Sequence, residues 1–163
     1  MAGATLDVQV EDSQVGAQLA ELVARLGDIR TPLQDIAEYL LQSTDARFRQ
    51  QVGPDGTPWA PLSPTTLARK RGSRILRDSG TLQDTLRYQV SDNELALGTD
   101  RPYGAVHQFG QAQGKSGKTS RGSPIPWGDI PARPYLGLSS EDETEVLQIV
   151  ADYLSDPLGT AAA

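Results

Sequence analysis

The chain has 163 residues, 37% of them hydrophobic and 22% charged, which is the size and composition of one globular domain. It has no cysteine and one histidine, His107, which excludes disulfides, thiolate chemistry, iron–sulfur clusters and a multi-histidine metal site within one chain. A formal charge of −6 is the wrong sign for a protein that coats nucleic acid, and no segment reads as a signal peptide or membrane span; the expectation is a protein made in the cytoplasm, with no cofactor and no membrane contact.

Leu6, Val8 and Val10 alternate with Asp7, Gln9 and Glu11, the period of a strand with one buried face. Ser13 then caps a helix with Val15, Leu19, Leu22, Val23 and Leu26 on one stripe, ended by Gly27. Thr31-Pro32-Leu33-Gln34 reads as the next helix start, with Thr31 as cap and Gln34 completing a capping box. Its stripe is Leu33, Ile36, Ala37, Leu40, Leu41, Thr44 and Phe48. The prolines at 58, 61 and 64 keep the following segment extended, and Ser63-Pro64 opens a short helix leading into Arg69-Lys70-Arg71. Leu86, Tyr88 and Val90, the turn Ser91-Asp92-Asn93, then Leu95 and Leu97 predict a β-hairpin.

Tyr103 to Phe109 predicts one helical turn. The glycine-, serine- and lysine-rich stretch 110–124 predicts a flexible loop, and Ile130 to Leu136 an extended segment. Ser140-Glu141-Asp142-Glu143 reads as a capping box with its acids solvated, opening a last helix that buries Val146, Leu147, Val150, Tyr153 and Leu154. One domain over 1–157 with a frayed tail at 158–163 is expected. Strands and helices do not alternate, so the fold class is α+β: N-terminal helices, a central antiparallel hairpin and a C-terminal helix.

No catalytic constellation stands out. Gly110 to Gly114-Lys115-Ser116 imitates a phosphate-binding loop but is one residue short between its glycines and follows no buried strand. His107 could act as the base of a hydrolase with Asp78 and Ser79, yet no nucleophile-elbow pattern accompanies them, and packing near the core is the better reading. Arg69, Lys70, Arg71, Arg74 and Arg77 form a basic cluster without interleaved aromatics. A solvated face, or a patch docking on an acidic protein partner, fits it better than a DNA-binding accessory protein, the alternative.

Four segments, in order and spacing, resemble the phage virion morphogenesis family of tail completion proteins. They are Gly56-Thr-Pro-Trp59-Ala-Pro-Leu62-Ser63 with Thr65 and Lys70; Ile75-Leu-Arg-Asp-Ser-Gly80-Thr-Leu82; Leu97-Gly98 with Tyr103-Gly-Ala-Val-His107-Gln-Phe109-Gly110; and Ile130-Pro131-Ala-Arg133-Pro134-Tyr-Leu-Gly137. The resemblance runs from about Ile36 to Leu154. It implies a fold similar to phage tail terminator and neck proteins, and a structural component of the virion at the head–tail junction. It implies a ring, most often a hexamer, that caps the tail, joins it to the head through neighbouring neck, tail tube, sheath or connector proteins, and lets DNA pass without reading it. On that reading Trp59, Gly80, Leu82, Tyr103, His107, Phe109, Gly110, Pro131, Arg133 and Pro134 are structural, with Tyr103, Val106 and Phe109 packing the short turn under the sheet. Arg69, Lys70, Arg71, Arg74, Arg77, Lys115, Lys118, Arg121 and Arg133 are interface candidates, Arg133 aimed from a rigid strand at a carboxylate in this or a neighbouring subunit.

The charge is segregated along the chain. Residues 1–46 carry eight acidic and two basic residues, 47–133 seven and thirteen, and 134–163 six and none. A basic middle between acidic ends predicts salt-sensitive self-association.

Overall fold

The structure, a computed structural model, describes residues 13–155. The strand expected at Leu6–Val10 and the tail at 158–163 lie outside them. The element order is α1 (Ser13–Leu26), α2 (Arg30–Gln50), α3 (Pro64–Arg69), α4 (Thr81–Asp84), β1 (Arg87–Ser91), β2 (Glu94–Gly98), α5 (Gly104–Phe109) and α6 (Ser140–Ser155). This is the expected α+β class, with β1 and β2 forming a two-stranded antiparallel sheet.

α2 is the axis of the packing because its apolar stripe runs past two separate clusters. Its first half buries Leu33 and Ile36 against Val15 and Leu22 of α1 and Val146 and Val150 of α6, with Ile29 between the helices. Its second half carries Phe48 into a cluster with Trp59, Leu82, Leu86, Tyr135 and Leu136. There Phe48 meets Trp59 edge-on at 5.3 Å and Tyr135 at 5.5 Å between ring centroids, geometries that aromatic quadrupoles favour. The hairpin covers the same helix: Val90 and Leu95 pack on the first cluster, Leu97 on the second.

Two helix starts differ from the expected ones. α2 begins at Arg30, before Thr31, because Ile29 is buried and fixes the entry of the chain; its side chain makes no cap, and the Asp28 carboxylate accepts the Arg30 N–H at 3.0 Å instead. Pro32 then falls inside the first turn, where its missing N–H still costs no helical bond. α6 is capped one residue earlier than expected. The Ser139 hydroxyl accepts the Asp142 N–H at 3.0 Å and the Asp142 carboxylate accepts the Ser139 N–H at 2.8 Å, a reciprocal capping box. That frame turns Asp142 into the core, so it is not one of the solvated acids of the first turn.

α5 packs through Gly104 and Gln108, one turn apart, which are its buried residues. Phe109 is 65% exposed and Tyr103 40%, so neither packs under the sheet as expected. The reason is angular: with Gly104 and Gln108 inward, the next residue is rotated by about 100° toward solvent.

Gly110 ends α5 with a φ of +76°, and a Cβ there would lie 2.8 Å from the backbone N of Ala132 and from the carbonyl O of Ile130. Gly110→Ala is expected to cost about 1–3 kcal/mol, from the left-handed backbone and the forced retreat of the 130–132 strand. A thermal melt of the variant beside the wild type checks this.

Candidate interaction cleft

The prolines at 58 and 61 hold the segment after α2 extended, and the core fixes where it lies. Trp59 Nε1 donates to the carbonyl of Pro134 at 2.7 Å. Arg133 is buried and donates to the carbonyls of Ala60 (2.7 Å) and Pro61 (2.9 Å). It therefore clamps two extended segments of one chain together; its acceptors are backbone carbonyls, not the carboxylate expected of it. Two carbonyls of the proline-stiffened turn offer it a fixed pair of acceptors, and burial pulls its guanidinium below the ordinary arginine value. Pro131 and Pro134 flank it on the exposed side.

Ser63 caps α3 by accepting the Thr66 N–H at 3.2 Å, which sets Arg69 in the last turn of a short exposed helix. The chain then loops back: Lys70 Nζ donates to the Arg74 carbonyl, and the Ile75 N–H donates to Gln51 Oε1 at 2.7 Å. Arg77 donates to Gln83 Oε1 at 3.2 Å. Gly80, at φ +89°, makes the turn into α4 and lets Leu82 enter the core. Among the described residues, Arg69, Lys70, Arg71, Arg74 and Arg77 form none of the ion pairs.

Between this loop and α5 lies an open cleft of about 630 Å³. Arg69, Lys70, Arg77 and Arg133 line it, with Tyr103, His107 and Trp127, and Asp78 is its one acid. His107 sits edge-on to Tyr103 at 6.0 Å. Its Nδ1 is buried without a hydrogen-bond partner in the described structure, and burial, then the charge of Arg133, holds the ring below the ordinary histidine value. The Ser79 hydroxyl hydrogen-bonds with Thr81 Oγ1 at 2.7 Å, so Asp78, Ser79 and His107 do not form a hydrogen-bonded triad.

The stretch expected as a flexible loop doubles back on itself as an arm. Gln111 and Ile130 exchange backbone hydrogen bonds (2.8 and 2.7 Å) at its base, and Ser116 N–H donates to Ile125 O (2.9 Å) and Ile125 N–H to Gly117 O (2.8 Å) further out. Lys115, Lys118 and Arg121 are exposed on it. Its base returns Trp127, 63% exposed, to the cleft, where the Arg69 guanidinium stands 5.4 Å over the indole ring. Sequence reasoning gives Trp127 no role; a tryptophan set between Pro126 and Gly128, outside any periodic apolar stripe, was the available signal.

The cleft thus combines unpaired cations with two exposed aromatic rings, the side chains that dominate binding energy at protein interfaces. It can accept a carboxylate-bearing segment through hydrogen bonds and stacking, and it presents no nucleophile paired with a base.

The phage virion morphogenesis family model matches residues 10–155. "Mu-like prophage FluMu G protein 2" of Haemophilus influenzae is 30% identical, over 91% of this chain and 95% of that protein. "Putative capsid assembly protein G" of Escherichia phage Mu is 28% identical, over 90% and 97%. "Tail completion protein S" of Escherichia phage P2 is 31% identical, over 74% and 80%. No solved structure matches the chain.

Proposed function

This chain belongs to the phage virion morphogenesis family, and we propose that it is a structural, non-enzymatic tail completion protein that assembles as a ring at the head–tail junction. The ring, a hexamer on this reading, closes the tail and presents a face to the neck or connector of the head, with DNA passing through it unread.

One observation supports self-association most directly. The cleft gathers Arg69, Lys70 and Arg77 beside Tyr103 and Trp127, while α6 carries Glu141 and Glu143 in its first turn and Glu145 just after it, none of which forms an ion pair among the described residues. Placing the acidic turn of one copy against the basic cleft of the next is a heterologous contact, the kind that closes into a ring. It also draws on the acidic C-terminal part and the basic middle of the chain.

Sedimentation at rising protein concentration tests this reading. A higher oligomer is expected that weakens as salt rises from about 0.05 to 0.5 M, where screening shortens below ~10 Å. The variant Arg69→Glu/Lys70→Glu/Arg77→Glu is expected to weaken association at least about tenfold while melting as the wild type does, since these side chains are outside the core. A chain that stays monomeric at all concentrations and is missing from purified particles would rule the ring out.

A further inference from the structure

Among the described residues β2 has one bonded neighbour, β1, and the sheet ends there. The two-residue turn closes on the pair Ser91 and Glu94, so the bonded pairs alternate up the ladder, and the N–H and C=O groups of Leu95 and Leu97 point away from β1. No described group hydrogen-bonds to them. A two-stranded hairpin with an open edge is marginal by itself and gains stability from a third strand.

β2 also borders an apolar groove of about 320 Å³. Leu95 and Leu97 of β2, Leu19 of α1, and Ile36 and Leu40 of α2 form its walls. Gly16 of α1 also faces it, and a Cβ there would meet nothing within 4 Å. A glycine inside a helix costs about 1 kcal/mol against alanine. Here it leaves the groove wall open.

α1 starts beside the groove, since Val15 and Gly16, just after the helix start at Ser13, line it. Immediately upstream stand Leu6, Val8 and Val10, alternating with Asp7, Gln9 and Glu11. Glu11 and Asp12 alone separate Val10 from the helix, a reach of ~10 Å when extended. That short tether favours the chain's own β2 over a neighbour's.

We propose that residues 6–10 add to the outer edge of β2 of their own chain as a third strand, with Leu6, Val8 and Val10 in the groove and Asp7 and Gln9 toward solvent. The five residues match the five of β2 in length. The proposal stands independently of the ring.

Amide hydrogen exchange reads it directly at Leu95 and Leu97, with Ile36 and Val150 reporting the helical core. In the full chain the two β2 amides are expected to be protected. Deleting residues 2–10, or making Val8→Pro, is expected to speed their exchange at least about tenfold while Ile36 and Val150 keep their protection. Val8→Thr, which keeps strand geometry, is expected to retain it. If the deleted chain fails to fold, Ile36 and Val150 lose protection as well, and the two point variants carry the comparison. Equal exchange at Leu95 and Leu97 in the full chain and in Val8→Pro overturns the proposal. So does protection that grows with protein concentration, which places a second copy on that edge.

Discussion

Replacing Arg47 by methionine is expected to lower the free energy of unfolding by about 3–5 kcal/mol, because it strands a carboxylate in the core. Arg47 is 5% exposed and Asp142 1%. The guanidinium donates to the Asp142 carboxylate, and it also donates to the carbonyls of Tyr135 (3.2 Å) and Gly137 (2.8 Å). One side chain thus ties the end of α2 to the extended segment and to the cap of α6. Methionine fills similar space but leaves all three acceptors without it. Adding Asp142→Asn to Arg47→Met is expected to recover part of the loss, since the amide oxygen still accepts the Ser139 N–H, the amide NH2 can donate to the Ser43 hydroxyl, and no charge remains buried. A urea titration of the two variants at constant slope measures both effects; a cost under about 1 kcal/mol for Arg47→Met would refute the role given to the pair.

The same pair sets a pH dependence. Burial pushes the Asp142 carboxyl up, but hydrogen bonds from Ser43 and Ser139 and the charge of Arg47 outweigh it, holding the group below the ordinary 3.8. Its contribution is therefore full above about pH 4 and is lost as pH falls through the folded-state value. Without Arg47 the desolvated carboxylate shifts the other way, so the gap between wild type and Arg47→Met is expected to narrow on acidification.

The pair also shows where sequence reading stops. The stripe of α2 was legible from Leu33 to Phe48 because apolar side chains repeat at the helical period, and the hairpin was legible from alternation and its Asp92-Asn93 turn. Arg47 falls on that same stripe, and a cation at a core position is a signal for a buried partner. Its partner was concealed because Ser139 and Ser140 offer two overlapping capping frames, and only the packing of α6 chooses between them. The cleft is assembled from segments whose positions depend on Trp59, Arg133 and Gln108, and those long-range hydrogen bonds leave no periodic trace. The clamp made by Arg133 was not legible because its acceptors are backbone carbonyls, which look the same at every residue.

Gln108→Leu beside Phe109→Ala is expected to give the sharpest contrast between adjacent positions in the chain. Gln108 is 8% exposed, and its amide does what a strand would otherwise do for the segment after Arg133. Its Oε1 accepts the N–H groups of both Tyr135 and Leu136 at 3.0 Å, and its Nε2 donates to the Leu136 carbonyl at 2.9 Å. Leucine fits the space but leaves two N–H groups and a carbonyl buried without those partners, at about 1–3 kcal/mol for each group left unsatisfied. A loss of at least about 3 kcal/mol is expected for Gln108→Leu. Phe109→Ala removes a ring that faces solvent and is expected to stay within about 0.5 kcal/mol of wild type. The two also part in assembly. α5 and the residue before it hold His107 and Tyr103 on the cleft wall, and the His107 carbonyl accepts the Arg133 N–H at 2.7 Å, so loosening Gln108 disturbs the whole wall. Chemical denaturation of both variants, followed by sedimentation of each, separates these effects. Comparable stability of the two proteins would show that the amide of Gln108 does not hold α5 to the extended segment.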